Sequence, residues 1–306
     1  MLIRRDLPTA TMALLALALT GPTPAWSAGP IPVVATFSIL GDMVERIGGD
    51  KVAVTTLVGP DGDAHVYQPI PGDARAVSQA EILVVNGLSF EGWLDRLVEA
   101  SHFGGVRVVA TDGIDPIAIA NRGHHDAFDP HAWQSLANAL IYIDNITAAL
   151  ATADPGNADF YHRNRVAYVA EIEALEAEVR RLFAELPADR RTVVTSHDAF
   201  GYFSEAYGLH FVAPHGVSTE SEASATAVAA LIRQIRQEGI EAVFLESITD
   251  SRLLEQITSE TGASIGGTLY SDALSGPGGP ASTYLDMMRY NATTLAQALS
   301  ARLVSR

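Results

Sequence analysis

The stretch PGNADFYHRNRVAYVAEIEALEAEVRRLFAELP, residues 155–187, separates two halves of the chain that each alternate between strand-like and helix-like patterns. Its apolar residues recur every three or four positions, the spacing of one face of an α-helix, at Tyr168, Ile172, Leu175, Val179, Leu182 and Leu186. A helix from Pro155 to Leu186 would reach roughly 48 Å, more than one small domain requires. We therefore expect a rigid linking helix between two lobes; a long surface helix of a single domain is the alternative.

Short apolar runs on both sides of this stretch predict the sheets. The runs are rich in β-branched residues and continuous, which indicates parallel strands covered by helices on both faces. We expect strands at 31–37, 52–58, 82–86, 106–110, 192–196, 210–213, 242–245 and 264–269, and helices at 38–48, 90–100, 199–207, 221–237, 251–261 and 282–303. The predicted fold is α/β, with two lobes that each contain a mostly parallel sheet flanked by helices, joined by one long rigid helix.

The N-terminal segment 1–28 carries the pattern of a secretory signal peptide. Arg4 and Arg5 begin it, an apolar run follows at 12–19, and Ala25-Trp26-Ser27 offers small residues where a signal peptidase reads. The run is too short to span a bilayer, and the residues around the arginine pair fit a twin-arginine signal poorly. We expect residues 29–153 to form the N-terminal lobe, 154–187 the linking helix and 188–306 the C-terminal lobe.

Composition narrows the compartment and the class of ligand. The chain has no cysteine, so it has no thiol for a disulfide or a lipid anchor, and we expect a monomer that is free in the periplasm. It carries 20 basic and 36 acidic side chains, for a formal net charge of −16. This balance opposes nucleic-acid binding and weakly favours cationic ligands through the field of the whole protein.

Four side chains of metal-binding type follow predicted strands. One is His131, in Phe128-Asp129-Pro130-His131-Ala132-Trp133-Gln134, where Asp129 and Pro130 suit the start of a helix that runs to about residue 153. The other three are His65, His197 and Asp272. Ligands of parallel sheets bind beyond the carboxyl ends of the strands. We therefore expect the four side chains, two from each lobe, to meet between the lobes.

Three imidazoles and one carboxylate form a tetrahedral set that Zn²⁺ accepts, with bonds of about 2.0–2.2 Å. The four residues form no short motif such as His-Glu-x-x-His, and the sequence contains no Gly-x-Ser-x-Gly motif. A catalytic zinc ion keeps one position open for water, whereas four protein ligands close the coordination sphere. We expect a binding protein and not an enzyme. The alternatives are a zinc-dependent periplasmic hydrolase, with Asp198 or Glu246 as base, and a receptor for an organic solute or a metal chelate.

Together these stretches resemble the metal-specific substrate-binding proteins of bacterial ABC importers, the zinc and manganese receptors of cluster A-I, and most of all the zinc receptors of Azt and Znu type. The similarity extends from residue 31 to the C-terminus. It includes the loop of His65, DPHAW at 129–133, HDAFGYF at 197–203, GVSTESE at 216–222 and LYSD at 269–272. The resemblance implies two α/β lobes joined by one long helix, with the transported metal on residues that match His65, His131, His197 and Asp272.

The resemblance also implies a metal and its partners. Manganese receptors of this family commonly carry a carboxylate where this chain has His197, so the donor set favours Zn²⁺ as the transported ligand, in agreement with the Irving–Williams order. A manganese or iron receptor of the same family is the alternative. The implied partners are a zinc ion, the membrane permease of a cognate ABC importer and, as a further candidate, a periplasmic metallochaperone.

Several other residues have two interpretations. His124 and His125 lie where zinc receptors often carry a histidine-rich loop, so they form either an auxiliary metal site or a solvated polar loop. Glu246 either orients a ligand histidine or accepts hydrogen bonds from backbone amides. Three aromatic residues are expected to pack around the site without touching the ion: Tyr67, Trp133 and Phe200. Three further histidines are expected to be structural or exposed: His102, His162 and His210.

Overall fold

The computed structural model describes residues 29–119, 128–240 and 242–300. The predicted signal peptide and the pair His124 and His125 lie outside these residues. Within them, the chain forms two four-stranded sheets in which every pair of neighbouring strands is parallel. The predicted fold class is confirmed.

The first sheet has the strand order β2-β1-β3-β4. Its strands are β1 (Ile31–Phe37), β2 (Val52–Val58), β3 (Ile82–Val85) and β4 (Val106–Val109), and its helices are α1 (Ser38–Gly48), α2 (Pro71–Gln79), α3 (Leu94–Ser101) and α4 (Leu136–Ala153). The central strand β3 is buried along its whole length, as a continuous apolar run predicts. Helix α2 has no counterpart in the sequence-based prediction, because Val77 is its only buried residue and gives no apolar periodicity.

The long helix α5 spans Ala158–Ala184 and follows a 3₁₀ turn at Pro155–Asn157. Its buried face contains Tyr168, Ile172, Leu175 and Val179, as predicted, but Phe183 and not Leu182 completes that face. The helix packs against α1 and α4 of the first half and against later helices of the second half. The helix therefore packs against both lobes and is not an isolated, solvent-exposed linker.

The second sheet repeats the arrangement of the first, with the order β6-β5-β7-β8. Its strands are β5 (Thr192–Val194), β6 (His210–Val212), β7 (Ala242–Glu246) and β8 (Ser264–Leu269), and its helices are α6 (Gly201–Tyr207), α7 (Ala225–Glu238), α8 (Arg252–Thr261) and α9 (Tyr284–Ser300). Helix α7 begins later than predicted because the side chain of Ser224 accepts a hydrogen bond from the Ala227 amide and caps the helix there.

The larger apolar core is continuous through both lobes. It contains Phe37 and Trp133 from the first half, Leu175 from α5, and Phe203 and Leu274 from the second half. A smaller core lies in the second lobe beneath α7 and α8. Because one core joins the lobes, their relative position is fixed by packing as well as by the linking helix. The predicted boundaries at 153 and 188 stay predictions.

Candidate metal centre

The four candidate ligands lie at the carboxyl ends of the two sheets. His65 lies in the loop after β2, and His131 lies in the segment between β4 and α4. His197 follows β5, and Asp272 follows β8. Two parallel sheets with their carboxyl ends facing one another place all four side chains between the lobes, as the sequence predicts.

The ligand atoms of these residues converge on one point. One atom from each of the four residues can be chosen so that all lie within 4.8 Å of one another. His65 Nε2 lies 3.3 Å from His131 Nε2 and 3.3 Å from Asp272 Oδ2. His197 Nε2 lies 3.1 Å from Asp272 Oδ2, and His131 Nε2 lies 3.6 Å from Asp272 Oδ1. The edges of a tetrahedron around a metal with bonds of about 2.1 Å are about 3.4 Å long, so these separations fit a bound cation.

The centre is shielded from water. His131, His197 and Asp272 are fully buried, and His65 is 5% exposed. Among the described residues, His197 Nε2 and both carboxylate oxygens of Asp272 are buried without a hydrogen-bond partner. Buried polar atoms without partners are costly and uncommon. A cation held by these atoms would supply the missing interaction.

Two of the three histidines are oriented by a carboxylate behind the ring. Asp129 Oδ1 lies 2.7 Å from His131 Nδ1 and accepts a hydrogen bond from the His131 amide at 2.9 Å. Glu246 Oε2 lies 2.6 Å from His197 Nδ1. In both residues Nε2 therefore faces the centre while Nδ1 faces a carboxylate, the arrangement that fixes metal-binding histidines in proteins.

Glu246 performs both of the roles that its position at the end of β7 predicts. Its Oε1 atom accepts hydrogen bonds from the amides of Ser196 at 2.7 Å and His197 at 2.9 Å, while its Oε2 atom contacts the His197 ring. One buried side chain thus holds both the backbone and the ring of His197.

The charged groups of the centre shift one another's pKa values. Burial alone would lower the pKa of His131, but the charge of Asp272 and the hydrogen bond with Asp129 raise it to about 9. Burial also opposes protonation of His197, whose pKa the charges of Glu246 and Asp272 nevertheless raise well above its usual range. Burial would raise the pKa of Asp272, yet His197 and His131 hold it well below its usual range. The carboxylate is therefore ionised, and protons compete with a cation for the imidazoles.

The backbone at His131 differs from the prediction. A helix that starts at Asp129 and Pro130 was expected, but a short 3₁₀ turn at Ala132–Gln134 follows His131, and α4 begins at Leu136. Ser135 is the cap of α4, because its side chain accepts from the Asn138 amide. Asp129 is free of that role and orients His131 instead.

Part of the support for His131 was not predicted. Asn86, at the end of β3, donates to the carbonyl of Pro130 at 2.9 Å and accepts from Tyr142 at 2.6 Å. The buried carboxyl of Glu91 accepts from the Asn86 amide at 2.7 Å and from Thr36 at 2.6 Å, and burial raises the pKa of Glu91. The sequence does not predict these contacts, because most of them join segments that are far apart along the chain.

The aromatic surroundings agree with the prediction only in part. The rings of His131 and Trp133 have centroids 5.3 Å apart. The ring of Phe90, which was not singled out, packs at 4.7 Å from His65. Tyr67 packs instead on Trp93, whose indole nitrogen donates to the carbonyl of Ala64, and Phe200 stacks on Phe211 in the second lobe. The remaining predicted histidines, His102, His162 and His210, are exposed.

A cleft of about 470 Å³ adjoins the centre on the side of the second lobe. Its lining includes Asp63 from the loop of His65, His197, and Thr219 from the segment before α7. The Thr219 hydroxyl donates to Asp63 Oδ2 at 2.6 Å across the cleft, and Asp63 Oδ1 accepts from the His65 amide at 2.9 Å. The loop that carries His65 is thereby tied to the opposite lobe.

Comparisons with known proteins match residues 33–298 to the family described as ZnuA, zinc-uptake complex component A, periplasmic. The iron-binding protein YfeA of Yersinia pestis is 37% identical over 280 residues, which are 92% of this chain and 90% of that protein. The manganese-binding lipoprotein MntA of Halalkalibacterium halodurans is 34% identical over 271 residues, which are 88% of this chain and 89% of that protein.

A solved structure is similar to this chain in both fold and sequence. The periplasmic zinc-binding protein TroA from Treponema pallidum has a TM-score of 0.82 and 32% sequence identity, and the match covers 89% of this chain and 99% of that chain. The ZnuA family consists of substrate-binding components of transporters and not of enzymes, which rules out the hydrolase alternative. The chain belongs to the ZnuA family of metal-binding periplasmic substrate-binding proteins of ABC transporters.

Proposed function

We propose that the protein is a periplasmic zinc receptor that captures Zn²⁺ and delivers it to the permease of an ABC importer. The observation that carries the proposal is the convergence of four buried donor groups, with ligand atoms within 4.8 Å of one another. In this proposal His65, His131 and His197 bind the cation through Nε2, and Asp272 binds it through its carboxylate. Four protein ligands leave no open position for an attacking water, which suits carriage rather than catalysis.

The preference for zinc rests on the donor set. Three imidazoles and one carboxylate are nitrogen-rich, and imidazole suits Zn²⁺ better than it suits Mn²⁺, which favours oxygen ligands. The Irving–Williams order adds to this preference, since it places Mn²⁺ and Fe²⁺ below Zn²⁺ for a given site. TroA, which is described as zinc-binding, supports the same choice.

A manganese or iron receptor is the second candidate. It is favoured by the relatives, because YfeA is described as iron-binding and MntA as manganese-binding. The separations between donor atoms do not discriminate, since bonds of about 2.1 Å serve several divalent ions. The choice between the candidates therefore depends on the ligand preference of each metal and not on the distances between the donor atoms.

Capture proceeds by exchange of protons for metal. The cation binds neutral imidazoles and the ionised carboxylate of Asp272, so binding at neutral pH releases protons from His131 and His197. The chain carries no cysteine for a lipid anchor, and we propose that the mature protein diffuses in the periplasm before it meets the permease. A metallochaperone that loads the site is a further proposed partner.

Competition titration of the purified mature protein tests the proposal. Zn²⁺, Mn²⁺ and Fe²⁺ are titrated against a chelating dye, and elemental analysis identifies the metal that copurifies. We expect the tightest binding for Zn²⁺ with one ion per chain. His197→Ala should lose most of this affinity, whereas the exposed His102→Ala is the matched control and should bind as the wild type does. Tighter binding of Mn²⁺ or Fe²⁺ would favour the second candidate, and equal binding by the two variants would contradict the proposed site.

A further inference from the structure

The carboxylate that orients His131 lies against the first turn of a helix from the other lobe. Asp129 is 4% exposed, and its Oδ1 atom is already engaged by the amide and ring of His131. The other oxygen, Oδ2, lies where a side chain at Gly201 would begin: a Cβ at Gly201 would be 2.3 Å from Oδ2 and 3.5 Å from Cγ. Gly201 is the first residue of α6.

Gly201 is not needed for its backbone freedom. It is not among the glycines with positive φ, so an L-amino acid can adopt its backbone conformation. A methyl group at position 201 would instead clash with the Asp129 carboxylate, which occupies the space beside Gly201. Relief of the clash requires either rotation of that carboxylate, which breaks its contacts with His131, or separation of the two lobes.

The next residue holds the backbone of the same segment. The Tyr202 hydroxyl donates to the Asp129 carbonyl at 2.9 Å and accepts from the Ile117 amide at 3.2 Å. The Asp129 amide in turn donates to the Ile117 carbonyl at 2.8 Å. Tyr202 is itself buried. Side chain and backbone of Asp129 therefore both meet the start of α6.

We propose that Gly201 and Tyr202 are positioning residues for metal binding. They form a seat in the second lobe, here called the α6 seat, for Asp129 of the first lobe. Through Asp129 the α6 seat fixes the imidazole of His131 at the angle that the cation requires. Since α6 follows the loop of His197, the same segment that supplies one ligand also positions another. This inference rests on the proposed function, because it assigns the α6 seat to that site.

A double-mutant cycle tests whether Gly201 acts through Asp129. Zinc affinity is measured by dye competition for the wild type, Gly201→Ala, Asp129→Ala and the double variant. Loss of a carboxylate behind a ligand histidine costs about 10–100-fold in metal affinity, and we expect a loss in this range for each single variant. The double variant should bind as Asp129→Ala does, because the methyl group at 201 then meets empty space. Losses that multiply in the double variant, or a Gly201→Ala affinity within about twofold of the wild type, would overturn the inference.

Controls separate positioning from general damage. Gly104→Ala introduces the same methyl group where nothing lies within 4 Å, at a residue without positive φ, and should leave zinc affinity unchanged. Should Gly201→Ala fail to fold, Tyr202→Phe removes only the hydroxyl; we expect weaker zinc binding with a near-normal melting temperature of the metal-free protein. An unchanged affinity of Tyr202→Phe would then overturn the inference.

The experiment also separates this inference from the proposed function. Wild type and His197→Ala are titrated in the same series. Wild type that does not bind zinc, or a His197→Ala variant that binds as the wild type does, would contradict the proposed site itself. A large loss in His197→Ala together with normal binding by Gly201→Ala would contradict only the role of the α6 seat.

Discussion

At the scale of single residues, the centre is built from pairs in which a carboxylate stands behind a histidine. His131 has Asp129, and His197 has Glu246. His65 differs, because its ring packs edge-on against Phe90 and the nearby carboxylate of Asp63 holds its backbone amide. It is also the only one of the four candidate ligands with any measurable exposure. We infer that His131 and His197 form the rigid part of the site and that His65 forms its outer side.

Glu246→Gln tests this pairing at His197. The amide keeps an oxygen that can accept from the backbone of Ser196 and His197, but it removes the negative charge beside His197 Nδ1. We expect zinc affinity to fall by about 10–100-fold, as measured by dye competition. Glu173→Gln, on the exposed face of α5, is the matched control. Unchanged binding by Glu246→Gln would show that Glu246 serves only the backbone.

The raised pKa of His131 predicts a pH dependence. In the metal-free protein this pKa is about 9, above the usual value of about 6.5 for histidine. The proton on His131 therefore stabilises the metal-free fold fully below about pH 6.5, and this stabilisation is lost as pH rises through about 9. Protons and metal compete for the imidazole of His131, so the stabilisation that a bound metal gives to the fold increases as pH rises.

The measurement is thermal unfolding with and without zinc across this range. We expect the increase in melting temperature caused by zinc to grow from pH 6 to pH 9, and we expect proton release on binding in titrations performed in buffers of different ionisation enthalpy. An increase in melting temperature that stays constant over this range would contradict the proposed exchange of protons for metal.

The candidate ligands could be predicted from the sequence, while much of what positions them could not. His197 and Asp272 lie just after strands, whereas His131 lies in the long segment between β4 and α4. Residue type and position in a parallel sheet indicated the candidates, and the resemblance to a family of metal receptors joined them into one set. Asn86, Glu91 and Gly201 contact Pro130, Thr36 and Asp129, which lie far from them along the chain. A single sequence contains no periodicity or spacing that pairs such residues.

At the scale of elements, the loop of His65 is tied to both lobes. Within its own lobe the Trp93 indole nitrogen donates to the Ala64 carbonyl at 2.7 Å. The loop crosses the cleft through the hydrogen bond from Thr219 to Asp63, and the Asp61 amide donates to the Leu274 carbonyl at 2.9 Å. The bonds with Thr219 and Leu274 lead to the second lobe. Movement of this loop therefore requires that contacts between the lobes break first.

Thr219→Val tests the contribution of the bond across the cleft. Valine has nearly the same shape as threonine but cannot donate to Asp63, so the loop of His65 should open more often. We expect faster zinc dissociation in stopped-flow chelation experiments, with a smaller change in the association rate. Thr152→Val, at an exposed position in α4, is the control. A dissociation rate equal to that of the wild type would show that this bond does not restrain the loop.

The elements themselves were predicted with different success. Strands β1, β2 and β8 and helix α1 have the predicted bounds, because each is a long run with one dominant pattern. The starts of α4 and α7 were predicted too early, since Ser135 and Ser224 were not recognised as the capping residues. The error at α4 concealed the real role of Asp129.

At the scale of the whole molecule, the two lobes form one packed body. The shared core, α5 and the polar contacts around the centre all cross the boundary between the halves. Trp133 and Gln134 of the first lobe donate to the Ser271 carbonyl at 2.9 and 2.7 Å, and Tyr284 of the second lobe donates to the Trp133 carbonyl at 2.7 Å. A wide hinge opening would break these buried contacts.

Small-angle X-ray scattering with and without zinc tests this rigidity. Because metal binding is expected to order loops and not to rotate the lobes, the radius of gyration should change little between the two states. The variant His197→Ala, which is expected to bind zinc weakly, is measured with zinc as a control for effects of the metal on the solvent and on association of the protein. A change in the wild type of several ångströms would indicate a hinge motion and would contradict the role given to α5 and the shared core.

The central claim is that four side chains distant along the chain hold one transported cation. Crystallographic determination of the zinc-loaded protein, with anomalous diffraction at the zinc edge, tests it most directly. The account predicts one strong anomalous peak between the lobes, about 2.0–2.2 Å from Nε2 of each of the three histidines and from the carboxylate of Asp272. A peak bound by other residues, or the absence of a peak at this position in crystals that contain stoichiometric zinc, would contradict it.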